Sequence, residues 1–184
     1  TTTASTTVIV NANPVGAING TLSFCEGGST TLTATGGSSY TWAGAGIGNA
    51  SQASQIISGL SNGTYPYNVT VSNGSCTATA TATVTVFASP VAQITGSATF
   101  CAGGNTTLDA GAGYASYLWT PGNQNTQTIT LSASGSPTVV VTDANGCTAS
   151  DQIVVTSGTA LTPNITGDLT ICAGQTAILS AGNG

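Results

Sequence analysis

Gly63-Thr64-Tyr65-Pro66-Tyr67-Asn68-Val69-Thr70-Val71-Ser72-Asn73-Gly74-Ser75-Cys76 is the stretch that decides the fold. Tyr65, Tyr67, Val69 and Val71 alternate with Asn68, Thr70 and Ser72, the period of two that turns one face of a β-strand toward a core and the other toward water. Asn73-Gly74 then suits a tight turn with positive φ, so residues 77–86 are expected to return antiparallel. Val139 and Val141, followed by Asn145-Gly146, repeat the arrangement. Elsewhere short runs rich in Val, Thr, Ile and Tyr are separated by Gly, Asn and Pro, and no run has helical periodicity.

That hairpin belongs to an internal repeat. Asn13-Pro14-Val15-Gly16-Ala17-Ile18-Asn19-Gly20 returns as Ser89-Pro90-Val91-Ala92-Gln93-Ile94-Thr95-Gly96, and in weaker form as Thr162-Pro163-Asn164-Ile165-Thr166-Gly167. Each copy leads to Phe24-Cys25-Glu26-Gly27, Phe100-Cys101-Ala102-Gly103 or Ile171-Cys172-Ala173-Gly174, with Cys101 76 positions after Cys25 and Cys172 71 after Cys101. A run holding Leu32 or Leu108, an aromatic run ending in Trp42 or Trp119, a Gly/Asn/Gln-rich stretch and a Val-rich run follow in that order. The expected organisation is 1–13, the last strand of a preceding repeat; 14–89 and 90–162, two complete repeats; and 163–184, the start of a truncated third. The chain thus reads as a window on a longer array, with neither end a natural terminus.

Roughly seven short strands in about 75 residues, with a Trp between two cysteines, predict an all-β chain of tandem immunoglobulin-like β-sandwich domains in an extended array. Trp42, Leu32, Val69 and Val71 in the first repeat, and Trp119, Leu108, Val139 and Val141 in the second, are the expected core anchors between facing sheets.

The chain has 184 residues, no Lys, Arg or His, and five acidic groups for a net charge of −5. Without cations it has no means of releasing counterions from nucleic acid or of holding an anionic membrane surface. Without His, Lys or Arg most acid–base and phosphoryl-transfer chemistry lacks its groups, so no enzyme and no catalytic residue is predicted. Charged residues are 3% of the chain, against about 25% in ordinary globular proteins, and solubility is left to hydroxyls and amides. No window is apolar enough for a membrane span, and residues 1–10 lack a signal peptide's basic start, so no membrane insertion is expected in this segment.

Five cysteines and no His point to disulfides in an oxidising compartment rather than to zinc. Two pairings stay open. Within repeats, Cys25 would join Cys76 and Cys101 would join Cys147. Between repeats, Cys25 would join Cys147, with Cys101 and Cys172 reaching further copies. The second is preferred, because in immunoglobulin strand order the turns bearing Cys25 and Cys76 lie at opposite ends, beyond the ~7 Å that a disulfide spans.

Other candidates have plainer readings. The tryptophans recur at one place per repeat, which fits a core better than a sugar platform. The acids are scattered and Glu26 aligns with Ala102 and Ala173, so neither calcium nor any other metal or cofactor is expected. Thr77, Thr79, Thr81, Thr83 and Thr85 form a hydroxyl row of the kind that orders water, and equally an ordinary solvent face. Loops 48–55 and 123–127 carry the exposed amides of a polysaccharide-binding alternative.

Pro-x-x-x-Ile-x-Gly, Phe-Cys-x-Gly, Tyr40-Thr41-Trp42, Gly63-Thr64-Tyr65 and Asn73-Gly74-Ser75-Cys76 together resemble the tandem Ig-like/PKD-like repeats of very large Bacteroidota surface proteins. These include SprB-type gliding-motility adhesins, cargo of type IX secretion. The resemblance spans essentially the whole chain, although Tyr117-Leu118-Trp119 and Ser136-Pro137-Thr138 depart from the pattern in the second copy. It implies an extracellular or cell-surface location, outer-membrane-attached or secreted, and an adhesive or spacer role; the expected function is a stalk or filament segment of a surface adhesin, with a carbohydrate- or surface-binding module as the alternative. The expected partners are neighbouring repeats of the same chain and like chains in a filament, with surface polysaccharide on the loop-binding alternative.

Overall fold

The computed structural model describes residues 2–181, and strands and turns account for its regular structure, with no helix among those residues. The chain forms two compact units, Thr1–Val91 with Thr142–Ala149, and Ala92–Val141 with Ser150–Gly184.

In the first unit β1 (Ala17–Asn19), β3 (Ser29–Thr35) and β5 (Ser54–Ser58) make one sheet, in the order β1-β3-β5. A second sheet, ordered β2-β7-β6-β4, holds β2 (Ser23–Cys25), β4 (Ser39–Ala43), β6 (Gly63–Asn73) and β7 (Cys76–Phe87). The leading strand is split. Its first half, β1, is antiparallel to β3, and its second half, β2, crosses to the other sheet and runs parallel to β7, with Cys25 opposite Phe87. Gly20 makes the crossing possible: its φ is +142°, and a Cβ there would stand 2.2 Å from the Thr31 carbonyl oxygen. Gly96 and Gly167 meet the same obstruction, from Thr107 and Ile178, which is why Ile-x-Gly opens all three copies.

Strand alternation supplies the core. Leu32, Ala34 and Ile57 from the first sheet meet Trp42, Tyr67, Val69, Val71 and Val84 from the second, and all eight are buried. The β6–β7 hairpin keeps register from Gly63↔Val86 to Asn73↔Cys76. Its two-residue loop is Gly74-Ser75, with Gly74 at φ +71°, so positive φ falls on the first central residue and Asn73 still belongs to the strand. Tyr65, at the start of β6, donates its hydroxyl to the Ser61 carbonyl four residues upstream, the corner that pins this strand in immunoglobulin sandwiches.

The second copy is built from β8 (Thr95–Gly96), β9 (Thr99–Phe100), β10 (Thr106–Asp109), β11 (Ser116–Thr120), β12 (Thr128–Leu131), β13 (Thr138–Thr142), β14 (Thr148–Gln152) and β15 (Thr156–Ser157). Its sheets are ordered β12-β10-β8, β11-β13-β14 and β15-β9. The repeat is conserved at the level of single hydrogen bonds. Buried Thr30 donates to the Thr21 carbonyl and Thr106 to that of Ser97; the Trp42 indole donates to Gln52 and that of Trp119 to Thr126; Tyr40 donates to Gly37 and Tyr117 to Gly111. One difference has a local cause. The twelve-residue β7 corresponds to two strands here, β14 and β15, because Pro137 stands where Tyr67 stands in the first copy. Pro137 accepts from the Ile153 N–H and has no N–H to return.

β16 (Ile165–Gly167) and β17 (Leu179–Ala181) pair antiparallel in the register of β1 with β3, Ile165↔Ala181 matching Ile18↔Ala34. Residues 2–13 depart from the expected last strand of a preceding repeat. They carry no strand, and Val8, Ile9 and Val10 are 81%, 79% and 89% exposed. The alternating pattern is there, but a strand exists only through ladder partners, and none of the described residues offers them.

Candidate functional site

The chemistry on this chain converges on one covalent link rather than on a pocket. Cys25 ends β2, where the Gly28 N–H bonds its carbonyl oxygen and closes a tight turn with Gly27 at φ +83°. Cys147 ends the turn between β13 and β14. There the Asp143 carboxylate accepts from the N–H groups of Asn145 and Cys147, and Gly146 takes φ +84°. The two sulfurs are bonded, with Cα atoms 5.6 Å apart and 122 positions between them in sequence. Both ends lie in the first compact unit, although each comes from a different sequence repeat.

The within-repeat alternative is not the arrangement formed. Cys76, Cys101 and Cys172 are free thiols. Cys25 is level with Phe87 at one end of β7 and Cys76 begins the other end, so eleven strand steps, about 36 Å, separate them. Cys147 is buried, Cys76 half-buried, and Cys101 and Cys172 exposed.

All eight expected anchors, Trp42, Trp119, Leu32, Leu108, Val69, Val71, Val139 and Val141, are buried. Tyr67 is buried as well and donates its hydroxyl to the Ala45 carbonyl. Burial, and then the neighbouring Tyr65 phenol, push its pKa above the ordinary value of 10.0. Gly44 fits against this ring, a Cβ there lying 2.4 Å from it.

Two of the loop amides that composition offered to a ligand, Gln55 and Gln127, are engaged in holding the loops. The Gln55 side chain is buried and donates to the carbonyls of Asn49 and Gln52, and Gln127 donates to the Asp109 carboxylate. Three of the five acids serve as backbone clasps: Asp109 accepts from the Gly111 N–H, Asp143 from its own turn, and Asp151 from the Ile94 N–H. Composition announced none of these roles; a short polar residue two positions before a glycine is the signal that marks Asp109. Among the described residues no three His, Cys, Asp or Glu side chains gather as metal ligands, no buried side-chain polar atom lacks a partner, and no helix is long and apolar enough to cross a membrane. The outward face of the second sheet is uncharged, with Thr41 beside Thr70 and Thr70 beside Thr79.

Fold and site together define a chain of small tandem β-sandwich modules of the Ig/FN3-like kind. Among solved structures it is similar to a C-terminal 282-residue fragment of intimin, determined in complex with the intimin-binding domain of the translocated intimin receptor. Identity is 17% and the TM-score 0.54, over 83% of this chain and 67% of that one. It is also similar to fibronectin(III)-like modules of CbhA from Clostridium thermocellum (11% identity, TM-score 0.40, 78% of this chain and 95% of that). A third is SGBP-B of the mixed-linkage glucan utilization locus of Bacteroides ovatus, in complex with a mixed-linkage heptasaccharide (18%, 0.30, 79% and 48%). The intimin likeness shows the shared fold, and the other two add nothing to it. No family model matches the chain, and no curated protein matches it.

Proposed function

We propose that this chain is a structural segment of a large secreted surface adhesin, a stalk of sandwich modules that holds a distal functional region away from the cell and assembles with like chains into a surface filament. The observation that carries this reading is the Cys25–Cys147 bond, which ties two sequence repeats into one covalent loop. A disulfide persists outside the reducing cytosol, which supports an extracellular or cell-surface location. The engaged amides of Gln55 and Gln127 and the carboxylates that clasp backbone support a scaffold rather than a reactive or sugar-binding centre. Repeats 14–89 and 90–162 are the mechanical units, and the repeat motifs support kinship with SprB-type gliding-motility adhesins and other type IX secretion cargo.

Two measurements test the proposal. Antibody raised against the chain should label intact producing cells, and the oxidised chain should bind nothing on a polysaccharide array. Labelling only after cell lysis, or saturable binding to one glycan class, would overturn it.

A further inference from the structure

Cys25 occupies a position that recurs. Cys101 and Cys172 follow the same Ile-x-Gly crossing and sit in the same turn, their carbonyl oxygens accepting from the N–H groups of Gly104 and Gln175 as that of Cys25 accepts from Gly28, with Gly103 and Gly174 at φ +77° and +85°. The strand before the turn is also held alike. Ser23 and Phe24 run parallel to Thr85 and Val86, and Thr99 and Phe100 run parallel to Thr156 and Ser157 at the equivalent register. Cys147, in turn, corresponds to Cys76: each directly follows the glycine-containing turn after the Val-rich strand. One member of each equivalent pair is bonded and the other is a free, solvent-reachable thiol.

From this we infer that Cys101 and Cys76 are open halves of the same link, each shaped for a further copy of this repeat. Cys101 takes the hairpin cysteine of the copy that follows, and Cys76 takes the turn cysteine of the copy that precedes. Links of the Cys25–Cys147 type then recur at every junction, so that each repeat is bonded to both neighbours. The inference rests on the stalk reading above and specifies how the array is held. Each bond forms by thiol–disulfide exchange: two thiols give up two protons and two electrons to a low-molecular-weight disulfide such as oxidised glutathione, which leaves as two thiols.

The test extends the full chain in register. Gly184 aligns with Gly37, so residues 38–184 are appended directly after residue 184, which completes the third copy and adds a fourth. The appended segment carries Ser75→Thr to mark its Cys76 peptide by mass, and Cys101→Ser so that Cys101 occurs once. After oxidation with oxidised glutathione, alkylation and peptide mapping, Cys101 is expected in a disulfide with the marked Cys76 peptide. In the 184-residue chain treated alike it is expected alkylated or as its glutathione mixed disulfide, joined to no cysteine of the chain. The Cys25–Cys147 peptide in the same map reports that the extended chain has folded. With that peptide present, a Cys101 that stays open to alkylation, or that bonds any other cysteine, overturns the inference and leaves the cell-surface and glycan tests of the stalk untouched. Cys101→Ser in the full-length half should leave the marked Cys76 alkylated or capped by glutathione; if that cysteine is still bonded to another cysteine of the chain, the inference also fails.

Discussion

Breaking the Cys25–Cys147 bond should lower stability by an amount that its span sets. With 122 positions between the sulfurs, the loop-closure relation gives about 5 kcal/mol at 25 °C, and losses of native disulfides usually fall at about 2–5 kcal/mol. The clean perturbation is Cys25→Ser. Cys25 is only half-buried, and the thiol it leaves at buried Cys147 behaves as a small apolar group, so little besides the covalent constraint changes. Guanidinium unfolding followed by Trp fluorescence is the assay, with Trp42→Phe and Trp119→Phe variants separating the two cores. The oxidised parent chain should unfold at higher denaturant than the variant by that free energy, and reductant should bring the parent to the variant's midpoint without moving the variant. Coincident curves for oxidised and reduced parent chain would refute the reasoning, because a bond that constrains the unfolded ensemble cannot be removed without effect.

Three further outcomes are expected. Leu108→Ala should cost about 2–5 kcal/mol in urea unfolding, since the side chain is fully buried in a core too small to collapse around the space; Val154→Ala, 62% exposed, should shift the midpoint little. Tyr67 holds its proton more tightly folded than unfolded, so its contribution is complete below the unfolded-state value near pH 10 and is lost as pH rises through the higher folded pKa; Tyr67→Phe should flatten that alkaline decline and cost about 0.5–1.5 kcal/mol at pH 7, both read from unfolding midpoints against pH. Pure trypsin should leave even the reduced, denatured chain intact on a gel, because no Lys or Arg is present.

Much of this architecture was legible because a strand announces itself by period. The 65–71 alternation placed Tyr67, Val69 and Val71 on one face, and the Cys25-to-Cys101 offset brought the second copy with it. The opposed ends of Cys25 and Cys76 followed from strand order alone. What stayed hidden depends on partners that no local pattern names. Residues 2–13 alternate as well as β7 does, yet pairing decides whether alternation becomes a strand. The split of the leading strand at Gly20 is set by a carbonyl eleven residues away, and the break in the last strand of the second copy by Pro137 on its neighbour. Gln55 looked like a surface group because composition does not tell an amide that meets water from one that meets a backbone.

Pulling the chain from its two ends in a force spectrometer tests the central claim most directly. The Cys25–Cys147 bond encloses a span of 122 positions, so about 400 Å of chain should remain unreleased at any force that spares covalent bonds, and reductant should set it free. Equal extension before and after reduction would contradict the account, since the modules would then be tied by nothing stronger than their own packing.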